Sequence, residues 1–384
     1  MQISLVERFH NVWNFASQVD APTLHRRMLE TGGRSTGFDY LRIVLAISVI
    51  VWHAFPLSYG SSAEAIKNSA IWSQLLVGLA LPMFFALSGF LVAGSLERNP
   101  SIVTFLGLRA IRIAPALTVE VILSALLLGP LLTTLTLGEY FRDPLFYRYL
   151  LNIVGHIQYH LPGLFLTNPL PSVVNGQLWT VPWELKCYIA LTFLAMFGLV
   201  RKRCGFLLIT VLSALVLWAC YVTGVYVRAG TPLLTAFLVG VLLYRYKDVV
   251  RWSASFALIA AILWMVLSSF DLGIFGAFPA TYLTVYLGLT NAPKIAVLRG
   301  ADYSYGLYLY GFVIQQAVAN IFPWSHHWYL NLAITLPIAA AFAALSWHCV
   351  EKPALKLRAV LTWLESKPWI QRKAGLATTS DVQS

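Results

Sequence analysis

The sequence predicts an all-α polytopic membrane protein of about ten transmembrane helices with both termini cytoplasmic, and three observations carry that prediction. Of its 384 residues 58% are hydrophobic and only 11% charged, with a mean hydropathy of +0.70; soluble domains carry about 25% charged residues. Apolar runs of about 17–25 residues, the length that crosses a bilayer, recur ten times. The polar breaks between them carry Lys and Arg on alternate sides, as cytoplasmic loops do.

The ten runs lie near 38–58, 72–95, 113–136, 177–200, 205–223, 231–245, 254–270, 273–289, 303–322 and 328–349. Cations precede the first (Arg26, Arg27, Arg34) and fall between the second and third (Arg98, Arg109, Arg112). They return after the fourth (Arg201, Lys202, Arg203), the sixth (Arg245, Lys247, Arg251) and the eighth (Lys294, Arg299), and follow the tenth (Lys352, Lys356, Arg358). The opposite breaks are poor in cations, Arg142, Arg148 and Arg228 excepted. This topology accounts for the formal net charge of +11, so the basic balance implies membrane lipids as partners and no nucleic acid.

Residues 1–37 read as a cytoplasmic arm with an amphipathic stretch over 6–19, residues 38–353 as the transmembrane domain, and 354–384 as a cytoplasmic tail. Polar, basic residues at the start predict no cleaved leader. The four cysteines (Cys187, Cys204, Cys220, Cys349) sit in or beside apolar segments without ligand spacing, so neither a disulfide framework nor a metal site is expected. The break at 137–176 is long and rich in aromatic and apolar residues, which predicts an ordered segment with a half-inserted helix over 145–158.

Ionisable groups inside a membrane span are costly and read as functional. The first span carries Asp39, Arg42 and His53. Arg42 and His53 are eleven positions apart, on nearly one helical face and roughly 16 Å apart along the axis. His53 taken alone reads better as a packed histidine bonded to a neighbouring carbonyl. The fourth span places Glu184 about seven residues from its outer end, roughly 10 Å deep, a depth matched to His53. A carboxylate bonded to one ring nitrogen fixes the tautomer and frees the other to accept a proton. A structural bond from Glu184 to Lys186 is the plainer alternative. Arg109 and Arg112, at i and i+3, suit a phosphate-rich group, although topology alone also places arginines there. Ser88-Gly89 suits close helix approach. Ser304, Tyr308 and Gln315 fall near one face of the ninth span and could line a polar passage. At the end of the tenth, Pro353 is expected to stop the helix. Glu120, His156 and His160 have no assigned role.

These segments together resemble the membrane-bound acyltransferase family 3, O-acyltransferases of bacterial surface glycans. The matching residues are Asp39-Tyr-Leu-Arg42 with His53, Phe84-Phe85-Ala-Leu-Ser88-Gly89-Phe90, Arg109-Ala-Ile-Arg112-Ile-Ala-Pro115 and Trp179-Thr-Val-Pro-Trp183-Glu184. Ser304-Tyr305-Gly306-Leu-Tyr308-Leu and Glu351-Lys352-Pro353 complete the order. The resemblance implies ten helices, an acyl-CoA donor (acetyl-CoA) taken from the cytoplasm and transfer to a hydroxyl. Many members carry a histidine where Gly311 stands, so no second histidine role carries over.

Residues and resemblance join in one expectation: an O-acyltransferase of the bacterial inner membrane, acetylating a polysaccharide or glycolipid of the cell envelope. Arg42, Arg109 and Arg112 hold the CoA phosphates, and His53, oriented by Glu184, activates the acceptor hydroxyl. Trp179, Trp183, Tyr308 and Gln315 contact the acceptor. Direct transfer and an acyl-histidine relay both fit. The competing class is a proton-coupled transporter or flippase using His53, Glu184 and Arg42 as a relay.

Overall fold

A computed structural model describes residues 21–33, 35–60, 71–98, 101–224, 230–270, 272–295 and 300–365. The stretch over 6–19, Arg34, Arg228, Arg299 and the tail beyond 365 lie outside the described residues. The chain is helical, and each of the ten apolar runs falls on a helix. In order come α1 (Leu24–Glu30), α2 (Thr36–Tyr59), α3 (Ile71–Arg98), α4 (Ile102–Leu123), α5 (Leu137–Arg142) and α6 (Pro144–Tyr149). They are followed by α7 (Val181–Met196), α8 (Arg203–Val222), α9 (Thr231–Arg245), α10 (Ala254–Ser269), α11 (Gly273–Gly288), α12 (Ser304–Ile321), α13 (Trp328–Ser346) and α14 (Arg358–Glu365).

Five continuous helical stretches among the described residues are long and apolar enough to cross a membrane: Thr36–Tyr59, Gly78–Arg98, Ile102–Leu132, Arg203–Val222 and Trp328–Leu361. The others are shorter: the 16 residues of α7 reach roughly 24 Å at 1.5 Å per residue, less than the ~30 Å hydrocarbon core. Leu208, Leu212 and Val216 of α8 and Leu258, Ile262 and Val266 of α10 stay exposed. A soluble protein would not leave such continuous apolar faces uncovered; lipid covers them. The protein is a multi-pass membrane protein.

Two sequence expectations about the long spans are corrected. The third run is helical from Ile102, not from 113, because Ile102-Val-Thr-Phe-Leu-Gly-Leu extends the apolar helix N-terminally; Arg109 and Arg112 therefore lie within a helix and not in a break. Pro353 does not stop the last long helix. A wide π turn over Trp347–Glu351 precedes it, in which the Lys352 N–H bonds to Trp347 O. Proline normally clashes with the carbonyl four residues back, and the widened turn relieves that clash.

The same device recurs directly after α4, where a π turn over Ser124–Leu128 precedes Gly129-Pro130 and the Gly129 N–H bonds to Ser124 O. In that pattern Ala125 O would look to residue 130, which as proline has no N–H. The buried Tyr140 hydroxyl donates to Ala125 O instead, at 2.7 Å. Gly129 is what lets it in, since a Cβ there would lie 1.8 Å from the Tyr140 oxygen. Tyr140→Phe should leave that carbonyl unsatisfied and cost about 1–3 kcal/mol, read as a lowered midpoint of thermal unfolding in detergent.

The contacts divide into two compact units. The first comprises 1–42, 81–93 and 195–295. Its α1 is pinned by Leu24 N–H to Val250 O (2.9 Å) and by Arg27, whose guanidinium lies 4.4 Å from the centre of the Trp252 ring. The start of α2 is fastened to the segment after α11: Tyr40 donates to Pro293 O (2.6 Å), and Asp39 is ion-paired with Lys294. The α3–α9 crossing is closer than any Cβ allows, as Gly89 lies against Phe237 O and Gly240 against Ala86 O. The Ser88-Gly89 reading is thus met by a glycine on each helix.

The second unit comprises 43–80, 94–194 and 296–384. Within it the 137–176 loop is ordered. Thr136 and Glu139 cap α5 reciprocally, which holds the exposed Glu139 carboxyl below its usual range. Asp143 caps α6, a 3₁₀ turn follows over Leu150–Val154, and Gly155 ends it at φ 80°. The helix expected over 145–158 is therefore shorter than predicted, because Gly155 takes the left-handed conformation. Gln316 of α12 latches the loop's end by donating to Leu170 O (2.9 Å) and Val173 O (2.6 Å).

Candidate active site

The sequence-predicted residues except Arg42 lie in the second unit, and Arg42 ends the first. His53 sits in the last two turns of α2, half-buried, with its ring edge-on to Phe312 of α12 at 5.0 Å. One turn before it, Ile50 O accepts from Gln315 Nε2 at 3.0 Å. Gly311 permits that seating, since a Cβ would stand 2.6 Å from the Ile50 side chain. The absence of a side chain at 311 is thus a packing requirement for the helix that carries His53. Gln315, predicted to meet substrate, is fully buried; its amide nitrogen ties α12 to α2, and its Oε1 has no partner.

Phe312 also covers Gly176, where a Cβ would lie 2.6 Å from its ring. Gly176 opens the 3₁₀ turn Gly176–Thr180 that leads into α7. Tyr308 clasps this turn: its hydroxyl is 2.6 Å from Gln177 O and 2.5 Å from Thr180 Oγ1. Gln177 Nε2 donates to Leu309 O at 2.7 Å. Trp179 and Trp183 are half-buried, and Lys186 Nζ lies 4.6 Å from the centre of the Trp183 ring, which directs that lysine to an aromatic face.

Glu184 accepts from the Tyr188 hydroxyl one turn on. The Tyr188 ring lies 6.0 Å from the Arg109 guanidinium, which also stacks near Phe105 and donates to Ser95 Oγ at 2.7 Å. Arg109 Nε is buried without a partner. Arg112 differs: it is ion-paired with Asp302 Oδ2 at 2.5 Å, and Asp302 Oδ1 accepts from Ser304 Oγ and N at the start of α12. The two arginines share a helix but differ in partner: Arg112 is ion-paired with Asp302, whereas Arg109 bonds Ser95 and has Glu184 as a more distant opposite charge. The Arg112–Asp302 pair is only partly buried, with 30% and 16% of the two side chains exposed. Solvent screening therefore lowers the expected cost of Asp302→Ala from the 3–5 kcal/mol of a fully buried pair to about 1–2 kcal/mol. Thermal unfolding of the purified variant measures it.

Sequence reading left Glu120 without a role and missed its partners. Glu120 is 1% exposed and accepts from Ser124 Oγ and Asn175 Nδ2, each at 2.7 Å. Asn175 also bonds the Tyr149 hydroxyl, and burial in the loop pushes that phenol well above its ordinary pKa. The signal was available as the lone carboxylate in an apolar run; its partners lie far off in sequence. His156 is bonded to Gln158 and His160 to Ser172 O, both within the loop.

Chemically, this unit joins an imidazole on a clamped helix, a turn packed beside it, and a carboxylate–phenol–guanidinium series at the start of α7. These are the elements of acid–base chemistry with an anion-binding group. Comparison with known proteins gives it a family. The acyltransferase domain model matches residues 35–350. "Nodulation protein 10" of Rhizobium leguminosarum bv. viciae is 31% identical over 366 residues, covering 86% of this chain and 96% of that protein. An "O-acetyl transferase" of Shigella phage Sf6 is 28% identical over 335 residues, covering 83% and 96% respectively. No solved structure matches the chain. With a helical membrane body whose matched region contains His53, Glu184 and both arginines, the chain belongs to the acyltransferase-domain family that the motif order resembles.

Proposed function

We propose that the protein is an O-acyltransferase that moves an acetyl group from cytoplasmic acetyl-CoA to a hydroxyl of a cell-surface or lipid-linked glycan. It acts in the bacterial cytoplasmic membrane, through ten spans with both termini inside. The observation that carries this reading is the seating of His53. Gln315 and Gly311 fix its helix against α12, and Phe312 touches both the imidazole and the turn leading to Glu184. The phage relative, an O-acetyl transferase, supports O-acetyl transfer.

The acceptor hydroxyl gives its proton to the His53 imidazole as its oxygen attacks the thioester carbonyl. The C–S bond breaks, the CoA thiolate leaves, and the imidazolium returns the proton to sulfur. Glu184 orients the imidazole, and Arg109 and Arg112 bind the CoA phosphates. Trp179, Trp183 and Tyr308 form the acceptor side, with the buried Gln315 holding α12 to α2 behind it. In the relay form of the reaction His53 carries the acetyl group between the two half-reactions. Mass spectrometry of surface glycan from cells with and without the protein tests the reading. A glycan heavier by acetyl groups only when the protein is present supports it, and an unchanged glycan overturns it.

A further inference from the structure

One buried ionisable group has no part in the chemistry above. A carboxyl group inside an apolar span is costly and marks function by default, and Glu120 of α4 is only 1% exposed. Its Oε1 accepts from Ser124 Oγ and from Asn175 Nδ2, each at 2.7 Å, while Oε2 is buried without a partner. Ser124 could turn instead to the carbonyl one helical turn back, as serines in helices do. Asn175 has no such choice. It is fully buried, and its amide nitrogen gives one N–H to Glu120 and the other to the Tyr149 hydroxyl. With both donors engaged the plane of the side chain is fixed. Its backbone, at φ −132° and ψ 68°, stands immediately before the Gly176–Thr180 turn, and Asn175 O accepts from the Leu178 N–H at 3.4 Å within that turn.

This is the turn beside the imidazole. Phe312 meets the His53 ring edge-on and covers Gly176, and Tyr308 clasps Gln177 O and Thr180 Oγ1. The hold from α12 therefore begins at residue 176, and the residue before it is held from α4 and from the loop. We infer that Glu120 is a positioning residue for the acyl transfer: its Oε1, acting through Asn175, sets where the Gly176–Thr180 turn stands against Phe312 and His53. The inference rests on the reaction proposed above and adds to it a residue from outside every matching motif. What Glu120 supplies is an accepting oxygen at a fixed place, which the carbonyl of a glutamine also supplies.

The test is the steady-state release of CoA from acetyl-CoA by the full chain in detergent. Surface glycan from cells lacking the protein serves as acceptor, and thermal unfolding gives the folded fraction. Glu120→Met fills the volume without an acceptor. It should lower kcat per folded molecule about 10- to 100-fold, the scale of a small misplacement of reacting groups, and leave the KM for acetyl-CoA unchanged. Glu120→Gln should keep the parent kcat to within about threefold. Asn175→Ala should lose as much as Glu120→Met, and the double variant no more than either alone, because a single route carries both effects. A parent-like kcat in folded Glu120→Met, a lowered unfolding midpoint with no change in rate per folded molecule, or additive losses in the double variant overturns the inference. So does a loss in Glu120→Gln equal to that in Glu120→Met, which would assign the role to the carboxyl proton. Should Glu120→Met not fold, Glu120→Asp withdraws the acceptor by one methylene; it should lower kcat about tenfold, and a parent-like rate overturns the inference. If the parent protein shows no glycan-dependent release of CoA, the transfer reading itself fails and takes the inference with it.

Discussion

Replacing His53 with alanine should lower acetyl transfer about 10²–10⁴-fold, the range lost with a general acid–base group, while the protein still folds and still binds donor. The small structural cost follows from the surroundings of the ring. His53 is half-buried, and its edge-to-face contact with Phe312 contributes about 0.5–1.5 kcal/mol. The helix is held one turn away by Gln315 on Ile50 O, which the substitution leaves in place. Turnover of acetyl-CoA by detergent-purified protein, with donor binding measured in parallel, separates chemistry from folding. Turnover within threefold of the parent protein would remove His53 from the reaction.

The second large effect is on stability, in the other unit. Gly89→Ala would put a Cβ 2.1 Å from Phe237 O, a backbone atom that cannot swing aside. The α3 and α9 backbones must separate, and Gly240 against Ala86 O makes the contact tight from the other side as well. Overpacking of this kind costs about 3 kcal/mol or more where the neighbour is rigid. Gly205→Ala is the control. It sits in the first turn of α8 with only Lys202 Cβ, at 3.6 Å, nearby, so alanine should be neutral or stabilise by up to about 1 kcal/mol. Thermal unfolding of both variants in one detergent reads the difference. Equal midpoints would mean that the crossing can relax.

Much of the fold was legible because lipid imposes its demands on every residue of a span. A run such as 205–223 can only be an apolar helix, and it is one. Boundaries were less legible where two signals competed. Arg109 and Arg112 read as a break, yet the apolar residues from Ile102 carried the helix through them. Pro353 read as a stop, because a π turn leaves no mark in the residue pattern that distinguishes it from an ordinary turn. The candidate site divides in the same way. His53, Glu184 and the arginines were visible because ions inside apolar runs are rare. Their partners were not, since Asp302 is 190 positions from Arg112 and Asn175 is 55 from Glu120. Gln315 was recognised as a polar residue on α12, but its donation to Ile50 O depends on how two helices meet.

The π turns have one more consequence, for how this chain tolerates change in length. A π turn holds one residue more than an α turn between flanks that keep their rotational phase. Deleting a residue within Ser124–Leu128 would thus preserve the faces of α4 on either side. It would also return Pro130 to an ordinary ladder, where its ring meets a carbonyl, and strand the Tyr140 hydroxyl opposite an altered acceptor. Substituting Pro130 alone would offer Ala125 O a second donor in competition with Tyr140. Bulge, proline and tyrosine are therefore a single heritable unit: each is harmless only in the company of the other two, and a lineage can lose them together more easily than one at a time.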